Sequence, residues 1–152
     1  MILALDVAGR VGWAVGSAGS SPIWGAQEIA IPNAAPGAIF AHYDAWLRYM
    51  LHTHNPDHVF AEAPFVGRFP AVAMRLGGYK AITQYRCYID DRRLHPFVPP
   101  REITKHFVGA YKGNKKVATV ARCRELGFDV GGDDDAADAL ALWHYACEKI
   151  LT

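Results

Sequence analysis

The feature that most constrains the fold is the end of the chain, where three consecutive aspartates precede a run rich in alanine and leucine. Asp133, Asp134 and Asp135 stand before this run, which continues to Ile150. Aspartates at the start of a helix accept hydrogen bonds from free backbone N–H groups and interact favourably with the helix dipole. The pattern therefore predicts a terminal helix that one of the three aspartates caps.

The same helix places two carboxylates where a core is expected. At about 100° per residue, Asp135 falls within the apolar arc, Asp138 lies at its edge on the same side, and Asp134 lies on the polar side. An unpaired buried charge is unfavourable, so Asp135 and Asp138 need a cation, a proton or a hydrogen-bond network. A divalent metal ion meets this need. The alternative is that both residues belong to an exposed acidic first turn, and the helix alone leaves the two interpretations equally open.

The composition is that of a globular protein. The chain has 152 residues, 51% of them hydrophobic and 20% charged, which predicts a single domain over residues 1–152. It has no apolar run of roughly 18 residues and no basic segment at its start, so we expect no membrane span, no signal peptide and a cytoplasmic location. Cys87, Cys123 and Cys147 are odd in number and widely spaced. This spacing argues against disulfides and a zinc site and predicts reduced thiols.

The formal net charge of +1 conceals an uneven distribution of charges. Residues 68–124 contain 13 lysines and arginines against 3 acidic residues, a net charge of +10, whereas the remaining residues carry a net charge of −9. Solvated helix faces usually mix both signs. The segregation therefore favours a polyanion bound by the middle of the chain, beside carboxylates from the two ends that hold metal.

The hydrophobic pattern predicts an α/β fold with a mixed central sheet of about five strands flanked by helices. The second predicted helix contains Gly77 and Gly78, which are expected to interrupt it and to pack closely against another helix or a partner chain. The predicted strands are 2–7, 11–15, 23–31, 58–64 and 96–99, and the predicted helices are 37–54, 71–88, 100–108, 115–126 and the terminal helix.

Acidic residues end two of the predicted strands, Asp6 in the first and Glu62 in the fourth. Because neighbouring strand ends and a helix packed across them can bring such groups together, we expect Asp6, Glu62, Asp135 and Asp138 to form one cluster. Four carboxylates repel one another, and hard oxygen ligands in this number suit two Mg²⁺ or Mn²⁺ ions. Two such ions, about 3.5–4 Å apart, stabilise the attacking water and the leaving oxygen in phosphodiester hydrolysis.

Four segments, spread over almost the whole chain, match the motifs of one nuclease family. They are Leu5-Asp6 with Gly12 after it, Ala61-Glu62-Ala63-Pro64-Phe65, Lys115-Lys116 and, most specifically, Asp135-Ala-Ala-Asp138-Ala-Leu-Ala. With these motifs the sequence resembles the RuvC-type Holliday junction resolvases of the ribonuclease H-like superfamily. The resemblance implies a ribonuclease H-like fold. It also implies a metal-dependent, structure-selective endonuclease that resolves Holliday junctions and related branched DNA by phosphodiester hydrolysis.

The resemblance also implies the role of each site residue. Asp6, Glu62, Asp135 and Asp138 become catalytic ligands of two Mg²⁺ or Mn²⁺ ions. Either Lys115 or Lys116 lies near the scissile phosphate, and the loop at 109–114 leaves this choice open because it departs from the family's G-x-G pattern. The residues expected to contact DNA are Phe65, Arg68, Arg75, Lys80, Lys112, Lys115 and Lys116.

The resemblance has further implications for assembly and source. Two symmetric cuts on opposite strands of a junction require two active sites, so we expect a homodimer, with the helix of Gly77 and Gly78 as the candidate interface. The compact length and the loop at 109–114 look more like bacteriophage or prophage members of the family than cellular ones. A phage-encoded protein is expected to act in the cytoplasm of its bacterial host.

Phe65 has two possible roles. It follows Glu62 on the short loop 63–67, and the resemblance implies that it stacks on junction bases. The alternative is that Phe65 packs into the core under the following helix, as most phenylalanines do.

Two other classes of protein share parts of these patterns. Nucleotide-binding proteins of the actin and sugar-kinase type also open with a strand that ends in aspartate and a glycine-containing hairpin, but they need two such domains, and 152 residues are too few for both. A junction-binding protein without catalytic activity is the other alternative, and it is disfavoured because all four acids are present.

Overall fold

The computed structural model describes residues 1–65 and 67–152, and its five strands form one mixed sheet. β1 pairs antiparallel with β2 and β2 with β3, whereas β4 lies parallel to β1 and to β5. The predicted mixed sheet of about five strands is confirmed. The strands are β1 (Ile2–Asp6), β2 (Arg10–Gly16), β3 (Ile23–Glu28), β4 (His58–Ala61) and β5 (Arg93–Leu94), in the spatial order β3-β2-β1-β4-β5.

The starts of the helices have clear local causes. α1, α2 and α3 each begin with a proline, whose fixed φ suits the first helical position. Asn114 caps α4 by accepting the amide of Lys116, and Asp133 caps α5 by accepting the amides of Asp135 and Ala136. Asp133 is thus the capping aspartate that the sequence predicted. The helices are α1 (Pro36–His54), α2 (Pro70–Ile89), α3 (Pro100–Phe107), α4 (Lys115–Glu125) and α5 (Asp134–Leu151).

Alternation along the central strands divides the core into two halves. Ile2, Ala4 and Phe60 pack with residues of α3, α4 and α5 on one face of the sheet. Leu3 and Val59 pack with residues of α1 and α2 on the other. Because successive side chains of a strand point to opposite faces, the even-numbered positions of β1 and β4 face α5.

α5 packs very close to the sheet, on a surface made of small residues. Ala4 and Ala14 are fully buried beneath it. A Cβ atom at Gly12 would overlap the carbonyl oxygen of Asp135, so only glycine allows the backbone of α5 to lie this near β2. Gly12 stands opposite Asp6 in the register of β1 and β2. The start of α5 therefore lies directly over the end of β1.

The last strand differs from the prediction. The hydrogen-bonded ladder lies at Arg93–Leu94, and the predicted strand at 96–99 is reduced to a single parallel bridge between Val98 and Glu62. Pro96 and Pro99 have no N–H group and cannot donate to a ladder, so the chain keeps only the pairing that Val98 provides. This bridge extends the sheet to the position of Glu62.

The second helix also differs from the prediction, because α2 is continuous from Pro70 to Ile89 and is not interrupted by its two glycines. A Cβ atom at Gly78 would overlap the ring of Phe40 in α1, which confirms the predicted close packing for this glycine, within the chain. Gly77 is different, since a Cβ atom there would meet open space.

The sequence predicts reduced thiols and no membrane span, and the structure describes the cysteines and the helices concerned. Cys87, Cys123 and Cys147 are free thiols, as expected. Burial raises the pKa of Cys87 to about 12 and that of Cys123 to about 11, so both stay protonated and unreactive at neutral pH. None of the helices in the described ranges is long and apolar enough to cross a membrane.

The contact between α5 and β2 predicts the effect of enlarging Gly12. Gly12→Ala is expected to lower the free energy of unfolding by about 1–3 kcal/mol because the added methyl group overlaps backbone atoms. In a domain of this size the melting temperature should fall by roughly 2–12 °C. Gly37→Ala is the control, since its Cβ atom would meet open space in α1 and alanine favours a helix. Thermal denaturation measures both variants. An unchanged melting temperature for Gly12→Ala would show that α5 does not make this contact.

Candidate functional site

The site begins with the ends of two adjacent strands. The amide of Glu62 donates a hydrogen bond to the carbonyl oxygen of Leu5 at 3.0 Å, which continues the parallel pairing of Leu5 with Ala61. Asp6 and Glu62 therefore lie side by side at one edge of the sheet. Both occupy even positions, so both side chains are directed toward the face that α5 covers.

The start of α5 brings two more carboxylates to this edge. Asp135 lies in the first turn of α5 above Gly12, and Asp138 follows one turn later. The negative charges of Glu62, Asp138 and Asp135 all raise the pKa of Asp6, which places the three carboxylates within electrostatic range of that side chain. The four acids that the sequence singled out are thus neighbours in space.

The acids of this site are held in an environment that disfavours their charge. Burial, followed by the charges of its acidic neighbours, raises the pKa of Asp6 well above its usual value. Burial raises the pKa of Glu62 to about 7, and the positive charge of Lys115 limits this rise. Burial also raises the pKa of Asp138, again opposed by Lys115. Such a group of desolvated carboxylates is unfavourable without a further cation.

Two lysines from the first turn of α4 reach the acids of α5. The ammonium nitrogen of Lys115 lies 3.2 Å from Oδ1 of Asp138. Lys116 forms an ion pair with Asp134, and this pairing lowers the pKa of Asp134. Since Asn114 caps α4 and fixes where the helix starts, it also sets the positions of both lysines. Of the two, Lys115 is the one that approaches the buried acids.

Arg10 contacts the acids of this site, a role that its sequence motif does not predict. Its guanidinium group donates to Oδ1 and Oδ2 of Asp133 at 2.9 and 2.6 Å, and to Oδ2 of Asp135 at 2.6 Å. These hydrogen bonds, first those to Asp133, raise the pKa of Arg10 and keep it charged. One signal was available in the sequence, since Arg10 is the only lysine or arginine before residue 48 and comes four residues after Asp6.

Two groups of acids compete as the place for a metal ion. In the described parts of the chain, three potential ligand atoms lie within 4.8 Å of one another at Asp133, Asp134 and Asp135. Arg10 and Lys116 already lower the pKa values of Asp133 and Asp134, so the charge of this group is largely compensated. The pKa values of Asp6, Glu62 and Asp138 are raised instead. Lys115 compensates these three acids only in part, so their oxygen donors fit a divalent cation better, although they are not arranged as tightly.

The residues expected to contact DNA are more widely distributed. Phe65 is 75% exposed, so the alternative that it packs into the core is wrong. Arg68 shares an open groove with Phe65 and the exposed Phe69, just after the strand that ends at Glu62. Arg75, Lys112 and Lys116 are exposed, Lys115 is half-buried, and the ammonium group of Lys80 lies 4.8 Å from the centre of the Phe97 ring.

The raised pKa of Glu62 gives a prediction for the stability of the metal-free protein. A carboxyl group with a pKa near 7 in the folded state and 4.5 in the unfolded state binds more protons when folded. Its contribution to stability is therefore present below pH 4.5 and is lost as the pH rises through 7. In EDTA at pH 8, Glu62→Gln should raise the free energy of unfolding by roughly 1–3 kcal/mol, and this gain should disappear near pH 4.5.

Thermal or urea denaturation across this pH range measures the effect. Glu125→Gln is the matched control, because Glu125 lies on the exposed surface, where it pairs with Arg122 far from the buried acids. A Glu62→Gln variant that is less stable than the wild type at pH 8 in EDTA would contradict the unfavourable burial of a charged Glu62 described above.

Comparisons with known proteins support the fold. Neither protein-family models nor curated sequences give a match. Among solved structures, the RuvC of Thermus thermophilus in complex with a Holliday junction substrate superposes with a TM-score of 0.77 and 15% identity, covering 99% of this chain and 94% of that one. A second Thermus thermophilus RuvC structure superposes with a TM-score of 0.76 and 16% identity, covering 99% of this chain and 95% of that one. The yeast mitochondrial Holliday junction resolvase superposes with a TM-score of 0.69 and 14% identity, covering 98% of this chain and 83% of that one. The chain therefore has the ribonuclease H-like fold that its motifs implied.

Proposed function

We propose that residues 1–152 form a single nuclease domain, a metal-dependent endonuclease that resolves Holliday junctions and related branched DNA by phosphodiester hydrolysis. The observation that carries the proposal is the group of desolvated acids, Asp6, Glu62 and Asp138, at one sheet edge beside Lys115. Retaining mutually repelling carboxylates lowers stability, which is characteristic of a functional site. The fold shared with junction resolvases is consistent with this activity.

The proposed metal ligands are Asp6, Glu62, Asp138 and Asp135, which would hold Mg²⁺ or Mn²⁺, two ions per active site. Carboxylate oxygens are the donors that these ions prefer, and a divalent charge would offset both the burial and the repulsion that raise the pKa of Asp6. When bound, such ions activate water and stabilise the charge that develops on the leaving oxygen of a phosphodiester. The ends of β1 and β4 and the start of α5 hold the backbones of the four acids close together, so binding would require mainly a turn of the Asp135 side chain.

Lys115 is the proposed phosphate-binding residue of the site. Its ammonium group already lies 3.2 Å from Asp138 and next to the other acids, whereas Lys116 pairs with Asp134 on the outer side of the first turn. The positive charge of Lys115 would attract a phosphate group and hold it next to the proposed metal ligands. This favours Lys115 over Lys116 for the contact with the scissile phosphate.

The proposed DNA surface follows the basic middle of the chain. Phosphate binding, which gives affinity without sequence preference, is proposed for five basic residues: Arg68, Arg75, Lys80, Lys112 and Lys116. Phe65 projects into solvent at the loop after Glu62, and an exposed aromatic ring beside Arg68 is suited to stack on an unpaired base. Stacking at this place would favour DNA whose bases are already unpaired at a crossover.

A homodimer through α2 is proposed from the exposed face of that helix. Met74, Tyr85 and Tyr88 are exposed, and they flank the small residues Gly77 and Ala81 on the same stripe. Glycine inside a helix costs about 1 kcal/mol relative to alanine, and a Cβ atom at Gly77 would meet no atom of the chain itself. Close approach of a second copy of α2 would explain why a glycine is present there.

The dimer is tested by sedimentation equilibrium of the wild type and Ala81→Arg. The wild type should sediment as a dimer and Ala81→Arg as a folded monomer, because a buried guanidinium group without a partner prevents close helix packing. Gly37→Arg is the control, since Gly37 also faces open space but lies at the start of α1. A monomeric wild type would contradict this interface.

Neutralising the acids of α5 tests the proposed catalytic function. Asp138→Asn and Asp135→Asn are each expected to reduce cleavage of a four-way junction at least a hundredfold, because the amide keeps the shape and loses the charge that binds metal. Binding of the junction in Ca²⁺ or EDTA should remain within about threefold of the wild type. Asp134→Asn is the control and should cleave at a near-normal rate, since Asp134 pairs with Lys116 away from the buried acids.

The substrates of this assay separate the proposal from the alternatives. The wild type should nick four-way DNA in Mg²⁺ far faster than a linear duplex of the same length. Near-normal cleavage by Asp138→Asn at saturating Mg²⁺ would exclude this residue as a ligand. Tight binding of the junction by the wild type without any cleavage would identify a non-catalytic junction-binding protein, and binding of ATP would favour the nucleotide-binding class.

Replacing Phe65 tests structure selectivity separately from chemistry. Because its side chain is 75% exposed, Phe65→Ala should leave the melting temperature within about 2 °C of the wild type. Loss of a stacking contact worth roughly 1–3 kcal/mol should slow cleavage of an intact junction about 5- to 150-fold. A nicked junction, whose bases are already free, should be affected much less. Tyr49→Ala on α1 is an exposed aromatic control, and equal losses on both substrates would overturn the stacking role.

A further inference from the structure

Arg10 holds one of the proposed metal ligands by an ion pair. Its Nη1 atom lies 2.6 Å from Oδ2 of Asp135, and the same nitrogen donates to Oδ1 of Asp133 at 2.9 Å. Its Nη2 atom lies 2.6 Å from Oδ2 of Asp133. The side chain of Arg10 is 40% exposed and those of both aspartates 27%. The pairing is therefore only partly shielded from solvent and can be exchanged for another cation.

This ion pair affects where the carboxylate of Asp135 lies. The potential ligand atoms of Asp135 group with those of Asp133 and Asp134 within 4.8 Å, whereas no such compact group joins Asp135 to Asp6, Glu62 or Asp138 among the described residues. The backbone of Asp135 is fixed over Gly12 by the packing of α5. Its side chain is thus the part that can turn either toward Arg10 or toward the other acids.

A divalent ion and a guanidinium group compete for the oxygens of the same carboxylate. Both bind its oxygens, and each keeps the other at a distance because both are positively charged. The outer anchor of Arg10 is Asp133, which is fixed as the N-cap of α5 and cannot follow Asp135. Movement of Asp135 toward the other acids therefore lengthens its bond to Arg10 while the bonds to Asp133 remain.

From these contacts we infer that Arg10 competes with the metal ion for Asp135 and so lowers the affinity of the site for divalent cations. The inference rests on the proposed function, since it takes Asp135 to be a metal ligand. In the metal-free protein Arg10 supplies the counter-charge of Asp135. When a metal ion binds, it replaces Arg10 as the counter-charge of Asp135. Arg10 then keeps its hydrogen bonds to Asp133 and loses the one to Asp135. Arg10 is a positioning residue in this account, because it acts on the site through Asp135.

The opposite role would also be consistent with an arginine beside a carboxylate. A partner that orients a ligating carboxylate usually strengthens metal binding, and its removal weakens the affinity about 10- to 100-fold. The two roles predict changes of opposite sign in metal affinity. The sign can therefore be measured without DNA and without cleavage.

The test is calorimetric titration of Mn²⁺ into the DNA-free protein at pH 7.5 and low salt. Arg10→Gln should bind Mn²⁺ roughly three- to fivefold more tightly than the wild type, which corresponds to the loss of a partly exposed ion pair. Arg10→Lys keeps the charge but lacks the planar fork that binds both oxygens of Asp133 and one of Asp135 together, so its affinity should lie between these values. Glu28→Gln is the control, because Glu28 lies 3.9 Å from Nε of Arg10 on the exposed side and touches no proposed ligand.

A double-mutant cycle connects the effect to Asp135. If the competition acts through this residue, Arg10→Gln should change Mn²⁺ affinity by less than about twofold in the Asp135→Asn background. An equal gain in both backgrounds would overturn the inference, because it would reflect the general charge of Arg10. Circular dichroism in EDTA verifies folding, and Arg10→Lys provides the same comparison if Arg10→Gln is unfolded.

The remaining outcomes separate this inference from the proposed function. If Arg10→Gln binds Mn²⁺ as weakly as the wild type or more weakly, competition is overturned while the metal site stands. If neither protein binds Mn²⁺ at millimolar concentrations, both the inference and the proposed metal-dependent function are overturned.

Discussion

The contact between the backbone of α5 and Gly12 is the constraint on which the rest of the site depends. Gly12 lies opposite Asp6, and the carbonyl group of Asp135 occupies the space that any larger residue would fill. This contact brings the first two turns of α5 onto the ends of β1 and β4. Without it, Asp135 and Asp138 would lie on a surface helix, and Asp6 and Glu62 would be isolated acids at the edge of a sheet.

The close packing has an electrostatic consequence. It desolvates Asp6, Glu62 and Asp138 together, and their pKa values rise. Two basic residues at the starts of their elements, Arg10 in β2 and Lys115 in α4, pair with acids of the site. In the metal-free protein these cations partly neutralise the acids. Desolvated acids lower the stability of the fold, so stability and the proposed metal binding are opposed at this site.

Much of the fold and the choice of acids could be predicted from the sequence. Asp6 and Glu62 interrupt otherwise apolar strands, and a buried charge in such a run needs a functional or structural reason. The three aspartates at the start of α5 and the prolines that open α1 and α3 carry local information about helix starts, so the sequence predicts the starts of these helices within one or two residues. Local signals of this kind act through neighbouring residues and can be recognised without the rest of the chain.

The parts that could not be predicted depend on contacts between distant residues. Ala137 follows Asp134 by three residues, on the side of α5 that the sequence predicts to be polar, yet it is fully buried because Cys123 of α4 packs against it. The pairing of Arg10 with Asp135 joins residues 125 positions apart. The exposed position of Phe65 follows from the loop after β4, and the hydrophobic character of the residue itself favours the core. In each case the deciding partner comes from another element.

The most direct test of the account is a crystal structure of the protein soaked in Mn²⁺, with the ions located by anomalous scattering. We expect density between Asp6, Glu62 and Asp138, with the carboxylate of Asp135 turned from Arg10 toward the ions. Manganese–oxygen distances should be near 2.1–2.2 Å, close to those of Mg²⁺. Ions bound only at Asp133, Asp134 and Asp135, or no ordered ion at saturating Mn²⁺, would contradict the assignment of the site.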